Sequence, residues 1–191
     1  MKAALLALIL TLSASAESSF DDADRKALLE HLDRTNKVFN EAIRGLSSEQ
    51  AKFRTAPNRW SVLEIAEHLT LAEEFLFTRA AAGLKKEVNG KSPASDANVL
   101  EGWGTRTQKV TAPPNLEPSG RWANLAAVQK EFDARRARTR EFVASTHADL
   151  RGHLCCGGME VYQQLLGLSA HVLRHVDQMK EVMADPNFPK K

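Results

Sequence analysis

The sequence predicts an all-α protein, a four-helix bundle with a long crossover between its second and third helices. Three observations predict it. Apolar residues recur four times at a spacing near 3.6, each time over a segment of helical length. No segment alternates polar and apolar residues as a half-buried strand would. Residues 83–120 hold no long periodic stretch and gather Pro93, Pro113, Pro114 and Pro118 with Gly90, Gly102, Gly104 and Gly120. At 191 residues the chain is long enough to bury one core without disulfide staples.

The chain opens on a segment expected to be a signal peptide, residues 1–16. Lys2 precedes an apolar run from Ala3 to Leu12, and Ala14-Ser15-Ala16 fits the small-x-small pattern cleaved before Glu17. The run is shorter than the roughly 20 residues a permanent span needs. No later segment is apolar enough to cross a membrane, so no stable insertion is expected after cleavage. The expected location is the periplasm or beyond. The folded domain is then 17–191.

The first long helix is expected from about Asp22 to Gly45, with Leu28, Leu32, Phe39 and Ile43 on one stripe. The second starts at Ser61, where Ser61-Val62-Leu63-Glu64 reads as a capping box, and runs to about Ala82. Ile65, Leu69, Ala72 and Leu76 face inward. The crossover 83–120 is expected to lack regular structure, to bring the chain back so that the flanking helices run parallel, and to fold over the bundle. The third helix is expected from about Arg121 to Thr146, with Arg135, Arg136, Arg138 and Arg140 on a solvated face. The fourth spans about Glu160 to Ala184 and stops before Pro186.

Composition excludes some functions. Lys and Arg number 26 against 24 Asp and Glu, a balance that leaves no electrostatic footprint for nucleic acid. Six histidines and two cysteines are the soft metal ligands available. Cys155 and Cys156 are adjacent, so they can close only a strained bridge with each other, and they are read as small loop residues outside any site. His171 and His175 stand at i and i+4 on the fourth helix, a spacing at which two imidazoles grip one ion. His68 falls inside the apolar arc of the second helix. An inward imidazole needs a partner for each ring nitrogen, and a metal supplies one of them. Gln178 shares the face of His171 and is placed to orient a ligand. Glu64 is the better carboxylate candidate to support His68, with Glu67 second. His31, His147 and His153 are read as surface, boundary or loop residues.

The stretch Leu46-Ser47-Ser48-Glu49-Gln50, then Phe53, then Ala56-Pro57-Asn58-Arg59-Trp60-Ser61 to Ala66-Glu67-His68, resembles the DinB-like superfamily, YfiT-like proteins included. So does Tyr162-Gln163-Gln164-Leu165-Leu166 leading into Ser169-Ala170-His171 and His175 to Gln178. The likeness covers the first two long helices and the fourth; residues 83–120 match poorly. It implies a four-helix bundle that binds a divalent metal through three histidines, at the positions of His68, His171 and His175. Zn, Ni and Fe all suit imidazole. Three such ligands leave a position open for water or substrate. The resemblance also implies a metal-dependent enzyme acting on a small-molecule substrate, a thiol-dependent transferase or isomerase being the known pattern, and bundles that often pair as homodimers. Export weighs against a thiol, because low-molecular-weight thiols are mainly cytosolic. A hydrolase competes, as does a non-catalytic metal-binding or stress-associated bundle.

Overall fold

The computed structural model describes residues 19–86, 90–107 and 110–190. The expected signal peptide lies outside the described residues. Helix α1 (Asp22–Ile43) is capped by the Asp21 carboxylate, which accepts from the Asp24 N–H at 2.8 Å. It ends just before the expected stop, because Arg44 is already extended and Gly45 takes a φ of 71°. A short helix, α2 (Ser48–Lys52), follows with its own capping box between Ser47 and Gln50. At five residues it is too short to show a period. Helix α3 (Val62–Gly83) starts at the expected box, in which Ser61 Oγ accepts from the Glu64 N–H and Glu64 Oε2 accepts from the Ser61 N–H.

The crossover is more regular than expected. It contains α4 (Asp96–Gly104), capped by Ser95, and a 3-10 turn at Pro114–Leu116. Two glycines make α4 a poor helix in isolation. Its docking on the last helix holds it instead. Trp103 lies so close to Gly167 that a Cβ there would meet the indole at 3.0 Å. Helix α5 (Leu125–Ser145) begins after the Asn124 cap, four residues later than expected. Helix α6 (Val161–Met183) begins at Glu160 and stops near Pro186 as expected. Among the described residues no helix is long and apolar enough to cross a membrane.

The four long helices form a ring in which α1 and α3 each touch both α5 and α6. Two apolar clusters give the directions. One joins Leu28 and Leu32, Leu76 and Ala80, Val143, and Val161 and Leu165. The other joins Phe39 and Ile43, Val62 and Ile65, Val128 and Phe132, and Val172 and Val176. The end of α3 thus meets the start of α6 and the end of α5. So α3 and α5 run parallel, as the crossover requires, and α1 and α6 run the other way. Replacing Gly167 by Leu is expected to push Trp103 off α6. The tryptophan emission should shift to longer wavelength, and a Trp103→Phe background should abolish that shift.

Between the clusters lies a polar layer. Arg136 is buried, with 2% of its surface exposed, which corrects the expectation of a wholly solvated arginine face. Its Nη2 donates to Glu73 Oε2 at 2.8 Å and its Nη1 to Thr35 Oγ1 at 3.0 Å. Thr139 donates to the other Glu73 oxygen, while Thr35 and His31 both meet Ser169 at 2.8 Å. Arg138 and Arg140 do face outward, paired with Glu74 and Asp33, while Arg135 is half-buried, pairing with Glu131 and donating to the Thr70 carbonyl at 3.0 Å.

Burial, then the charges of Arg34 and Arg136, lower the His31 pKa to about 4. The unfolded imidazole titrates near 6.5 and so binds the proton that the folded one refuses. This contribution to stability is full above about pH 6.5 and is lost as pH falls toward 4. The difference in urea midpoint between wild type and His31→Gln is expected to shrink on going from pH 7.5 to pH 5.

Candidate metal centre and its pocket

Helices α3 and α6 pack antiparallel, and this brings His68 against His171 and His175. The ring centroids lie 5.3 Å (His68–His171), 4.5 Å (His68–His175) and 4.4 Å (His171–His175) apart. One nitrogen from each ring lies within 4.8 Å of those of the other two. His171 Nε2 and His175 Nε2 approach to 2.9 Å.

The outer partners decide which nitrogen faces inward. His68 Nδ1 meets the Leu116 carbonyl at 2.9 Å. A carbonyl only accepts, so Nδ1 carries the proton and Nε2 keeps its lone pair. His175 Nδ1 meets Gln178 Oε1 at 2.8 Å. Arg106 Nη1 donates to the same Oε1 at 3.2 Å, and this fixes the amide orientation, because a guanidinium can donate only to oxygen. His175 Nε2 is therefore a lone pair too. These two lone pairs converge on His171, whose Nε2 either donates to His175 Nε2 at 2.9 Å or, in its other tautomer, turns a third lone pair toward a cation. A metal-binding histidine usually has such an outer acceptor.

Electrostatics agree. Burial lowers the His68 pKa against the opposing Leu116 hydrogen bond. Burial, and then the nearby His68, lower that of His175 to about 3. His171 is held well below its ordinary value by burial and by both neighbouring histidines. All three are neutral at pH 7, the form that ligates metal.

Gln178 lies against His175, whereas Glu64 is engaged elsewhere. Its carboxylate takes the Ser61 N–H and an ion pair with Arg54. The place beside His68 belongs to the Leu116 carbonyl instead. Glu67 has a different duty. It is 1% exposed, and its carboxylate accepts the N–H groups of Ser119, Gly120 and Arg121 at 2.8, 3.0 and 3.3 Å. It thus ties down the crossover strap that carries Leu116 across His68. His31 belongs to the polar layer. His147 and His153 lie in the α5–α6 connection, and neither is in the pocket wall.

The histidines form part of the wall of a cavity of about 960 Å³. Trp60 and Trp103 stand beside them, 5.1 Å from His68 and 6.0 Å from His171 between ring centroids. The crossover supplies Trp103, Arg106 and Leu116, so it does cover the site. Cys156 also lines the cavity, which corrects its placement outside the site. Arg79 Nε lies 3.0 Å from its sulfur. Burial raises the Cys155 pKa to about 11, so that thiol stays protonated at neutral pH.

An antiparallel α3–α6 pair with a histidine from one and two from the other, roofed by a long crossover, defines a class of metal-associated helical bundles. The model of the DinB superfamily matches residues 31–179, and the chain belongs to that superfamily. It is also 27% identical over 160 residues to "Uncharacterized protein YuaE" of Bacillus subtilis (strain 168). That match covers 76% of this chain and 94% of the relative. No solved structure gives a significant match.

Proposed function

We propose that this chain is an exported, divalent-metal-dependent enzyme, a transferase or hydrolase, that acts on a small molecule at His68, His171 and His175. The observation that carries the reading is the convergence of three neutral imidazoles on one wall of a large cavity. A protein that only stores metal has no need of such a cavity, whereas pockets of roughly 300–1,000 Å³ are typical of small-molecule sites. Zn, Ni or Fe fits the donor set. When bound, such an ion supplies Lewis acidity and an open position for a donor atom.

The chain's own residues do the rest. Leu116 and Gln178 hold two imidazoles in the ligating tautomer. Glu67 and Arg106 hold those two supports in turn. Trp60, Trp103 and Leu116 stand beside the imidazoles on the cavity wall. Export is part of the proposal, with cleavage before Glu17; N-terminal sequencing of the protein recovered outside the cytosol tests it. So is a homodimer, which light scattering of the purified chain tests.

Elemental analysis of untagged protein should find about one divalent ion per chain. Chelation should remove the ion and abolish turnover in a panel of thiol–electrophile pairs and esters. An intact metal with no turnover anywhere in that panel would return the chain to the non-catalytic metal-binding reading.

A further inference from the structure

We propose that the cavity selects an organic anion: a carboxylate on a flat apolar body, with its acidic head at Arg79 and Gln164. This takes the cavity as the substrate site of the reading above. The wall contains Arg59, Arg79, Arg106 and Arg174 against a single carboxylate, Glu117. Three of the arginines are engaged by the protein. Arg59 and Arg106 both pair with Glu181, at 3.7 and 2.8 Å, and Arg174 donates to the Thr105 carbonyl. Arg79 differs. Its Nε donates to Cys156 Sγ and its guanidinium carbon lies 5.3 Å from the centroid of the Phe75 ring. No carboxylate among the described residues pairs with it. Its terminal nitrogens present the planar fork that suits a carboxylate.

Gln164 is the second, independent observation. Its side chain lines the cavity, the residue is 1% exposed, and Nε2 has no hydrogen-bond partner. Buried amide donors are rarely left so, and a ligand oxygen would satisfy this one. Arg79 lies near the end of α3 and Gln164 near the start of α6, so the antiparallel packing puts both at the same end of the cavity. His171 lies seven residues after Gln164, about 10 Å along the helix. Trp103, seated on Gly167, stands between them, with Phe75 also on the wall. The site therefore measures a ligand whose acidic head and reacting end are about 10 Å apart, with a flat apolar stretch between.

The test uses the full chain, both zinc-loaded and chelator-treated, titrated calorimetrically with 4-biphenylcarboxylate and its uncharged amide. The acid should bind at least about tenfold tighter than the amide in both forms. Arg79→Gln should weaken the acid about tenfold and leave the amide unchanged. Gln164→Leu should weaken the acid without lowering the thermal midpoint, since it removes an orphaned donor. Equal affinity for acid and amide overturns the proposal. So does binding of neither probe, or an equal loss of both in Arg79→Gln. A preference that vanishes on chelation overturns it as well, because the carboxylate would then sit on the ion. Should the chain bind no metal at all, the chelator-treated arm still decides the anion question.

Discussion

Alanine at His68 is expected to lower divalent-metal affinity by at least about 100-fold while leaving the helical content unchanged. His68 contributes one of the two inward lone pairs whose tautomer the protein fixes, through the Leu116 carbonyl at 2.9 Å. Without it a bound ion would keep only two ligands, both from α6, and would no longer bridge α3 and α6. Loss of an outer partner alone typically costs ~10–100-fold, so removal of the ligand itself should cost more. Gln178→Leu should fall in that lower range, because His175 keeps its nitrogen but loses the acceptor that sets its tautomer. Glu64→Gln should leave affinity unchanged, since its carboxylate serves the Ser61 cap and Arg54. Competition with a chromophoric chelator measures all three, with circular dichroism as the check on folding. Wild-type affinity in His68→Ala would remove the basis for a three-histidine site.

These residues also show which parts of the site are written in the sequence. His171 and His175 are legible because a helix period converts spacing into direction. His68 is legible because its neighbours Ile65, Leu69 and Ala72 mark the inward arc. The Leu116 carbonyl has no sequence signature, since every residue except in its side chain offers the same acceptor. Arg106 and Cys156 come from segments whose path is set by tertiary packing. The same reason hides α4, a helix with two glycines that forms where Trp103 docks on Gly167. Arg136 was within reach. It follows Phe132 by four residues and precedes Thr139 by three, so it sits on the apolar stripe of α5. The run of four arginines hides this, because Arg136 points inward while Arg138 and Arg140 point out.

The position of Arg136 makes it the residue whose loss should most damage the fold. Methionine there is expected to cost about 3–5 kcal/mol, the usual penalty for breaking a buried ion pair from one side. Against a typical domain stability of ~5–15 kcal/mol this is a large fraction. The loss arises because Glu73 stays behind, 2% exposed, with only the Thr139 hydroxyl to accept from. Burial already pushes the Glu73 carboxyl up, and the Arg136 guanidinium is the main force opposing it. In Arg136→Met that opposition is gone, so the folded carboxyl should hold a proton that the unfolded one, titrating near ~4.3, has released at neutral pH. The folded state then binds more protons than the unfolded state above that value, and the mutant gains stability as pH falls. Its deficit against wild type should therefore narrow between pH 8 and pH 5. Replacing both partners, Glu73→Met with Arg136→Met, should cost less than Arg136→Met alone, because no charge is left stranded. Urea unfolding of the three variants at both pH values decides it. A cost for Arg136→Met below about 1 kcal/mol with no pH trend would mean that water reaches the layer between the two apolar clusters and that the ion pair is solvated.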